Sequence, residues 1–246
     1  ILLIVIRKKS VVSFSPKKAC LAVKEKIARN VLFTGLPSAL QTMLSAVSNL
    51  VLNSLMIGYG ETAEAAIGVT KKIDAVPFGM VTGLAQGAAP LIAYNNGAKK
   101  YDKMKTTLKL SLCYCVGLAI TVLIVVESAA GALIEVFIKD ASTVTYGEKF
   151  LRLHCASLPF MAVTFMLVSY FQAVGAKGKA FLLSIIRKGI VDIPLMYLLN
   201  MLIPVYGIVA CQPITDVISA TVGVILYVLW KKKFQKTEEE QEIVVQ

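Results

Sequence analysis

Charged residues are scarce in this chain of 246 residues, and they are unevenly placed. Only 17% of the residues are charged and 57% are hydrophobic, whereas a soluble domain carries about a quarter charged residues. The mean hydropathy is +0.71. Most cationic side chains lie in short tracts between apolar runs of about 20 residues, the length that crosses a bilayer as a helix. This pattern excludes an ordinary soluble domain, and it excludes nucleic acid as a partner, since such a surface needs lysine and arginine on a soluble scaffold.

Residues that bind metals or form disulfides are also few. The single histidine, His154, has no second imidazole to share a metal, and the five cysteines include no CxxC pair. Cys113 and Cys115 are two residues apart in an apolar run, a spacing that fits neither a redox motif nor a zinc ligand pair. We therefore expect no disulfide, no metal site and no cofactor. The chain has no GxS motif, histidine pair or HExxH motif, so an intramembrane enzyme stays only as an alternative.

Six apolar segments predict an all-α fold, a polytopic bundle of membrane helices. They cover about residues 31–57, 65–94, 107–129, 150–174, 181–203 and 207–230. The second segment is unusually long and contains Pro77, so we expect this helix to be tilted, kinked or broken.

The chain divides into four predicted regions. Residues 1–6 are apolar, but they span only about 9 Å as a helix, against a bilayer of about 30 Å. We expect them to be the end of a truncated transmembrane helix. Residues 7–30 are predicted to form a basic linker with an amphipathic helix on the membrane surface. Residues 31–230 form the six-helix lobe, and residues 231–246 form a tail whose acidic end we expect to be disordered.

The distribution of charge predicts the orientation in the membrane. Nineteen of the 26 cationic residues fall on one side of the predicted topology, three fall on the other, and four lie within spans. Because lysine and arginine accumulate in cytoplasmic loops, we expect the linker and the carboxyl-terminal tail to be cytoplasmic. The chain would then be a multi-pass protein of the cell membrane, either plasma or inner.

Charged groups within the spans are the first candidates for a substrate or ion pathway, because charge is costly in lipid. Asp216 lies about 13 Å into the last span, too deep for its short stem to reach water, and a structural hydrogen-bonded pair is the alternative. Lys71 and Asp74 are three residues apart and share a helix face, although Lys71 could also extend to the interface. Asp192 follows Lys188 by four residues and could pair with it.

Uncharged polar residues form a stripe at three-and-four spacing along the first span: Gln41, Ser45, Ser48 and Asn49. Such a stripe either lines a cavity or joins helices by hydrogen bonds. We expect Arg187 to brace the lobe and His154 to be a packed polar residue. Structural roles are also predicted for the prolines within the spans, which interrupt helical hydrogen bonding: Pro37, Pro77, Pro90, Pro194 and Pro213.

A series of short motifs runs in order along nearly the whole chain. The longest, GLAQGAAPLIAYNNGAKKYD, occupies residues 83–102. The others are GLP at 35–37, GYGETAEAAIG at 58–68, FLR at 150–152, QAVG at 172–175, Arg187 with Pro194, and QPITD at 212–216. Together they resemble the carboxyl-terminal half of the MATE (multidrug and toxin extrusion) family, particularly its bacterial branch.

This resemblance implies helices seven to twelve of a transporter made of two six-helix lobes. The expected partners are the lipid bilayer, the missing amino-terminal lobe and a small-molecule substrate. Substrates in this family are typically cationic. The implied function is an antiporter that exports drugs by alternating access in exchange for H+ or Na+, and the alternative is a flippase for lipid-linked oligosaccharides of the same superfamily.

One departure from the family bears on the coupling ion. Several relatives place carboxylates at positions where this chain has Ser45, Lys71 and a site near Val163. We therefore expect the coupling carboxylate to lie in the missing lobe, and we expect this half not to transport alone.

Overall fold

The computed structural model describes residues 27–245, which fall into two units that meet between residues 36 and 37. The predicted truncated helix and the predicted linker as far as residue 26 lie outside the described residues. Every residue of the polar cavity described below belongs to the second unit.

Residues 27–245 form eight α-helices and one π-helical turn, without a β-strand. In chain order they are α1 (Ile27–Ile57), α2 (Glu61–Gly97), α3 (Tyr101–Glu135), α4 (Ala141–Cys155), α5 (Leu158–Ala173), α6 (Lys177–Ile185), the π-helical turn (Ile186–Ile190), α7 (Asp192–Leu202) and α8 (Tyr206–Val245). The predicted all-α fold class is confirmed.

Several of these helices have the length and composition of membrane spans. Within residues 27–245, four helices meet both requirements: α1 from Gly35, α2, α3, and α8 as far as Lys231. Helices α4 and α5 meet them as a pair, with a bend of 43° between the two. The predicted fifth span, residues 181–203, is instead divided into α6, the π-helical turn and α7. The six predicted spans thus correspond to four long helices, one bent pair and one segmented stretch.

The ends of α2 and α4 follow from local sequence. Gly60 precedes α2 with a φ of 96°, a left-handed conformation that glycine adopts without a Cβ clash. Asp140 caps α4, because its Oδ2 accepts a hydrogen bond of 2.9 Å from the backbone N–H of Thr143. Hydrogen bonds from Ser142 and Thr143 lower the pKa of the Asp140 carboxyl to about 2, so the cap stays charged at neutral pH.

Proline does not break the long helices. Pro77 and Pro90 both lie inside α2, which continues as one helix of 37 residues. Of the three predicted outcomes for this span (tilted, kinked or broken), a break is therefore not found. Pro37 and Pro213 likewise lie inside α1 and α8. Pro194 is in the first turn of α7, where proline is tolerated because the first backbone N–H groups have no partner within the helix.

The acidic tail is helical rather than disordered, since α8 continues to Val245. The prediction of disorder was therefore wrong for residues 238–245. Glutamate and glutamine make up residues 238–242, and both are strong helix formers. No glycine or proline follows Gly223 to end the helix.

Two apolar clusters hold the lobe together. The larger is built mainly from α2, α3 and α5, and the smaller joins α1 and α2 to α7 and α8. Because lipid is as apolar as these side chains, close packing rather than burial from water holds such helices together. Gly207 shows how closely they approach, since a Cβ there would lie 2.2 Å from the backbone oxygen of Leu199.

Candidate functional site

A polar cavity of about 480 Å³ lies within the helical lobe. Its lining comes from every helix except α3, α6 and α7, with the π-helical turn included. The polar lining residues are Ser45, Asn49, Asn53, Lys71, Asp74, His154, Ser157, Arg187, Lys188, Gln212 and Asp216. A cavity with charged groups inside a membrane bundle is a functional candidate, because polar groups are retained there only where they are paired or hydrated.

The π-helical turn brings two consecutive cations to the cavity. Arg187 and Lys188 both line it, and they are only 2% and 8% exposed. Consecutive residues of a regular α-helix point about 100° apart, whereas a π-helical turn inserts an extra residue and rotates the side chains that follow. Such turns occur frequently at functional sites.

Arg187 and Asp216 form a buried ion pair between the π-helical turn and α8. The Nε atom of Arg187 lies 2.7 Å from Oδ1 of Asp216, and the aspartate is fully buried. The guanidinium carbon also lies 4.7 Å from the centre of the Phe165 ring. Gln212, one turn before Asp216 in α8, donates a hydrogen bond of 3.1 Å to Oδ2. Both carboxylate oxygens of Asp216 are therefore occupied.

Lys188 and Asp192 form a second buried pair. The Nζ of Lys188 lies 3.2 Å from Oδ2 of Asp192 and 2.6 Å from Oε1 of Gln212. Ser48 of α1 donates a hydrogen bond of 2.5 Å to the same carboxylate oxygen. Cys211 donates its thiol hydrogen to the backbone oxygen of Asp192 at 3.1 Å. This network joins α1, the π-helical turn, α7 and α8.

A third charged group contains the histidine. His154, at the end of α4, lies between Lys71 and Asp74 of α2. Its Nε2 is 3.1 Å from Nζ of Lys71, and its Nδ1 is 3.4 Å from Oδ1 of Asp74. The second contact does not have hydrogen-bond geometry, and Nδ1 has no hydrogen-bond partner among the described residues. The hydroxyl of Ser157 donates to the His154 carbonyl at 2.9 Å, where α4 bends into α5.

The structure brings most of the predicted pathway residues together. Asp216, Lys71, Asp74, Ser45 and Asn49 line the cavity. The predicted pairing of Lys188 with Asp192 is confirmed, although Asp192 is not part of the cavity wall.

The polar stripe of α1 has both of the roles that its spacing predicted. Ser45 and Asn49 line the cavity. Gln41 accepts a hydrogen bond of 3.3 Å from Ser184 of α6, and Ser48 bonds Asp192. The stripe therefore lines a cavity with some residues and joins helices with others.

Three cavity residues were not predicted as candidates by sequence reasoning. Gln212 and Ser157 were not singled out, and His154 was assigned to simple packing. Gln212 could have been found from its four-residue spacing to Asp216, which places both on one helix face. His154 could not have been found in this way, because its partners Lys71 and Asp74 are about 80 residues earlier in the chain.

Comparison with known proteins supplies the family context. A sequence model described as MatE matches residues 37–198. The chain is 28% identical over 216 residues to the multidrug export protein MepA of Staphylococcus saprophyticus, covering 88% of this chain and 48% of that protein. It is 25% identical over 238 residues to the protein of the same name from Staphylococcus haemolyticus, with coverages of 97% and 51%. The chain thus spans about half the length of these curated relatives.

Solved structures share the fold. A mutant of the Vibrio cholerae MATE transporter VcmN superposes with a TM-score of 0.85 at 16% identity, covering 95% of this chain and 52% of that one. An outward-facing multidrug resistance MATE family transporter superposes with a TM-score of 0.82 at 19% identity, with coverages of 96% and 54%. The likeness shows that residues 27–245 have the architecture of half of such a transporter.

Proposed function

This chain belongs to the MATE family, whose members are transporters and not enzymes, and from that premise we propose that it is the carboxyl-terminal lobe of a secondary active multidrug exporter. The lobe would work with an amino-terminal six-helix lobe in the same membrane. The two would expose a central cavity to each side in turn, in exchange for H+ or Na+.

The polar cavity is the observation that supports this proposal. Five separate elements and the short link between α4 and α5 each direct a polar or charged side chain toward it. A buried charge in a membrane protein is costly unless it is paired or hydrated, so an assembly of this kind is not needed to fold an apolar bundle. It suits a route by which a polar or charged solute crosses the bilayer.

The carboxylates of this lobe bear on the coupling ion. Asp216 is paired with Arg187, and Asp192 is paired with Lys188. A carboxylate already engaged by a cationic side chain is a poor site for a transported cation, because the transported ion would have to displace its partner. This supports placing the coupling carboxylate in the amino-terminal lobe.

The substrate that we propose is an organic cation or related drug. Asp74 is the cavity carboxylate with no direct cationic partner among the described residues other than the imidazole of His154. It is therefore the group of this lobe that is best placed to attract a cation. Lys71, Arg187 and Lys188 also converge on the cavity, and this favours the second candidate, a flippase whose cargo carries pyrophosphate.

Transport by the full-length protein separates these two functions. In everted membrane vesicles, we expect an imposed proton or sodium gradient to drive ethidium accumulation. Replacing Asp74 with asparagine should lower the initial rate by about tenfold, within the usual range of coupling between two sites. Glu64→Gln is the matched control, because Glu64 is an exposed carboxylate on the same helix, outside the cavity. Movement of lipid-linked oligosaccharide without ethidium transport under either gradient would replace the exporter by the flippase.

The orientation in the cell membrane is also a proposal, and it rests on the distribution of lysine and arginine. An epitope inserted after Lys100, between α2 and α3, should bind antibody only after the cells are permeabilised. The same epitope inserted after Lys139, between α3 and α4, should be accessible on intact cells. Antibody binding at the first position without permeabilisation would reverse the topology.

A further inference from the structure

His154 lies at a position where Lys71 and Asp74 contact its two ring nitrogens, so its protonation state depends on both. It is 5% exposed, lines the cavity and ends α4 at the bend toward α5. Lys71 and Asp74, which contact its two ring nitrogens, are on one face of α2. The imidazole therefore joins the bent span to α2.

The contacts fix the form of the ring. While Lys71 is an ammonium, which has three N–H donors and no acceptor, the Nε2 of His154 accepts its hydrogen bond at 3.1 Å. Nε2 therefore has no hydrogen, and the single proton of the neutral ring is on Nδ1. That N–H faces the Asp74 carboxylate at 3.4 Å without forming a hydrogen bond. The neutral ring accepts on one side and is ready to donate on the other.

We propose that His154 is a proton-binding site of the transport cycle, at which one incoming proton displaces the ammonium of Lys71. The inference rests on the proposed transport function. Nε2 takes one proton from cavity water, and its hydrogen bond to Lys71 is lost because two donors then face each other. The resulting imidazolium has an N–H on each nitrogen, and its charge is balanced by Asp74. No other bond forms or breaks, and Lys71 is left to turn its charge toward the cavity.

The other charged groups around the cavity determine what can balance a proton on His154. Besides Lys71 and Asp74 on α2, the charged groups around the cavity are Arg187 and Lys188 of the π-helical turn and Asp216 of α8. Arg187 is held by Asp216, and Lys188 by Asp192. On α3, Glu127 lies 3.8 Å from the exposed Arg152 of α4. Among the described residues that line the cavity, no further carboxylate is therefore free to neutralise both His154 and Lys71, and a proton on the ring works against the present position of Lys71.

Nitrogen NMR of the full-length protein tests the ring directly, without a transport assay. The protein is labelled with ¹⁵N-histidine in lipid nanodiscs, and the His154 signals are identified by their loss in His154→Gln. We expect an Nδ1–H tautomer with a hydrogen-bonded Nε2 before acidification, and two protonated nitrogens once the ring has taken up the proton. Lys71→Gln should shift the Nε2 signal, while Lys72→Gln, which changes an exposed lysine outside the cavity, should leave it in place.

Transport then shows whether this proton is used. In proteoliposomes, ethidium-dependent proton movement should fall by about tenfold in His154→Gln, whereas Lys72→Gln, outside the cavity, should leave it unchanged. Asp74→Asn provides a second variant if His154→Gln fails to fold, and it should prevent the doubly protonated ring from forming on the same acidification. An Nε2–H tautomer, a ring that takes no second proton, or unchanged proton movement in His154→Gln would each overturn the inference. Absence of all ethidium transport by the unmodified protein would instead refute the exporter, and the NMR result would still decide the protonation of His154.

Discussion

Replacing Asp216 with alanine is expected to lower the free energy of unfolding by about 3–5 kcal/mol, because it leaves the charge of Arg187 buried and uncompensated. Arg187 is 2% exposed, and its Nε atom has this carboxylate as its partner at 2.7 Å. To measure the free energy of unfolding, SDS is titrated into the full-length protein in mild-detergent micelles, and the loss of helix is monitored by circular dichroism.

Two further variants test whether the lost stability comes from the uncompensated charge of Arg187. Asp102→Ala removes an exposed carboxylate from the first turn of α3, and it should change the free energy of unfolding by less than about 1 kcal/mol. The double variant Arg187→Met with Asp216→Leu removes both charges, and it should recover most of the stability, because apolar side chains of similar volume often replace a buried pair at little cost. A stability of Asp216→Ala equal to that of Asp102→Ala would show that the pair does not stabilise the lobe.

Gly207→Ala should also destabilise the lobe, toward the upper end of the about 1–3 kcal/mol that overpacking costs. The new Cβ would lie 2.2 Å from the backbone oxygen of Leu199 and 2.7 Å from its carbonyl carbon. A backbone group cannot rotate away as a side chain does, so α7 and α8 would have to separate where the chain turns between them. The same SDS titration measures the effect.

Gly117→Ala is the matched control for this change. Gly117 is an exposed position inside α3, and a Cβ there would meet nothing within 4 Å. Alanine is a better helix former than glycine by about 1 kcal/mol, so Gly117→Ala should match or exceed the stability of the unmodified protein. Equal stabilities for the two alanine variants would contradict the close approach of α7 and α8.

The fold could be predicted largely because lipid imposes a simple pattern on the sequence. A helix that faces lipid must be apolar for about 20 residues and satisfies its own backbone hydrogen bonds, so α1, α2, α3 and α8 stand out from hydropathy alone. The bend between α4 and α5 and the π-helical turn do not stand out from hydropathy. A proline follows each of them, Pro159 in the first turn of α5 and Pro194 in the first turn of α7. Prolines also lie inside the unbroken α2, so the residue alone does not predict where a span bends.

The candidate site could be predicted only where its residues are close in sequence. Lys188 and Asp192 are four residues apart, and that spacing placed them on one helix face. Arg187 and Asp216 were identified separately, but their pairing joins positions 29 residues apart and needed the structure. The spacing of Lys71 and Asp74 suggested a direct pair, whereas His154 contacts both of them because α4 packs against α2. Local spacing predicts neighbours within a helix and cannot predict a third group from another helix.

The three charged groups around the cavity have a consequence for any molecule that enters it. They contain three cations, Lys71, Arg187 and Lys188, and three carboxylates, Asp74, Asp192 and Asp216, so their charges balance while His154 is neutral. Balanced pairs produce a field that fades within a short distance, unlike that of a single unpaired ion. Beyond the attraction of Asp74 for a cation, a guest would therefore be selected at close range, by its shape and by apolar contact with Phe78 and Met161 on the same wall. Molecules of quite different structure would make such contacts equally well, and the proposed broad-range exporter requires this tolerance.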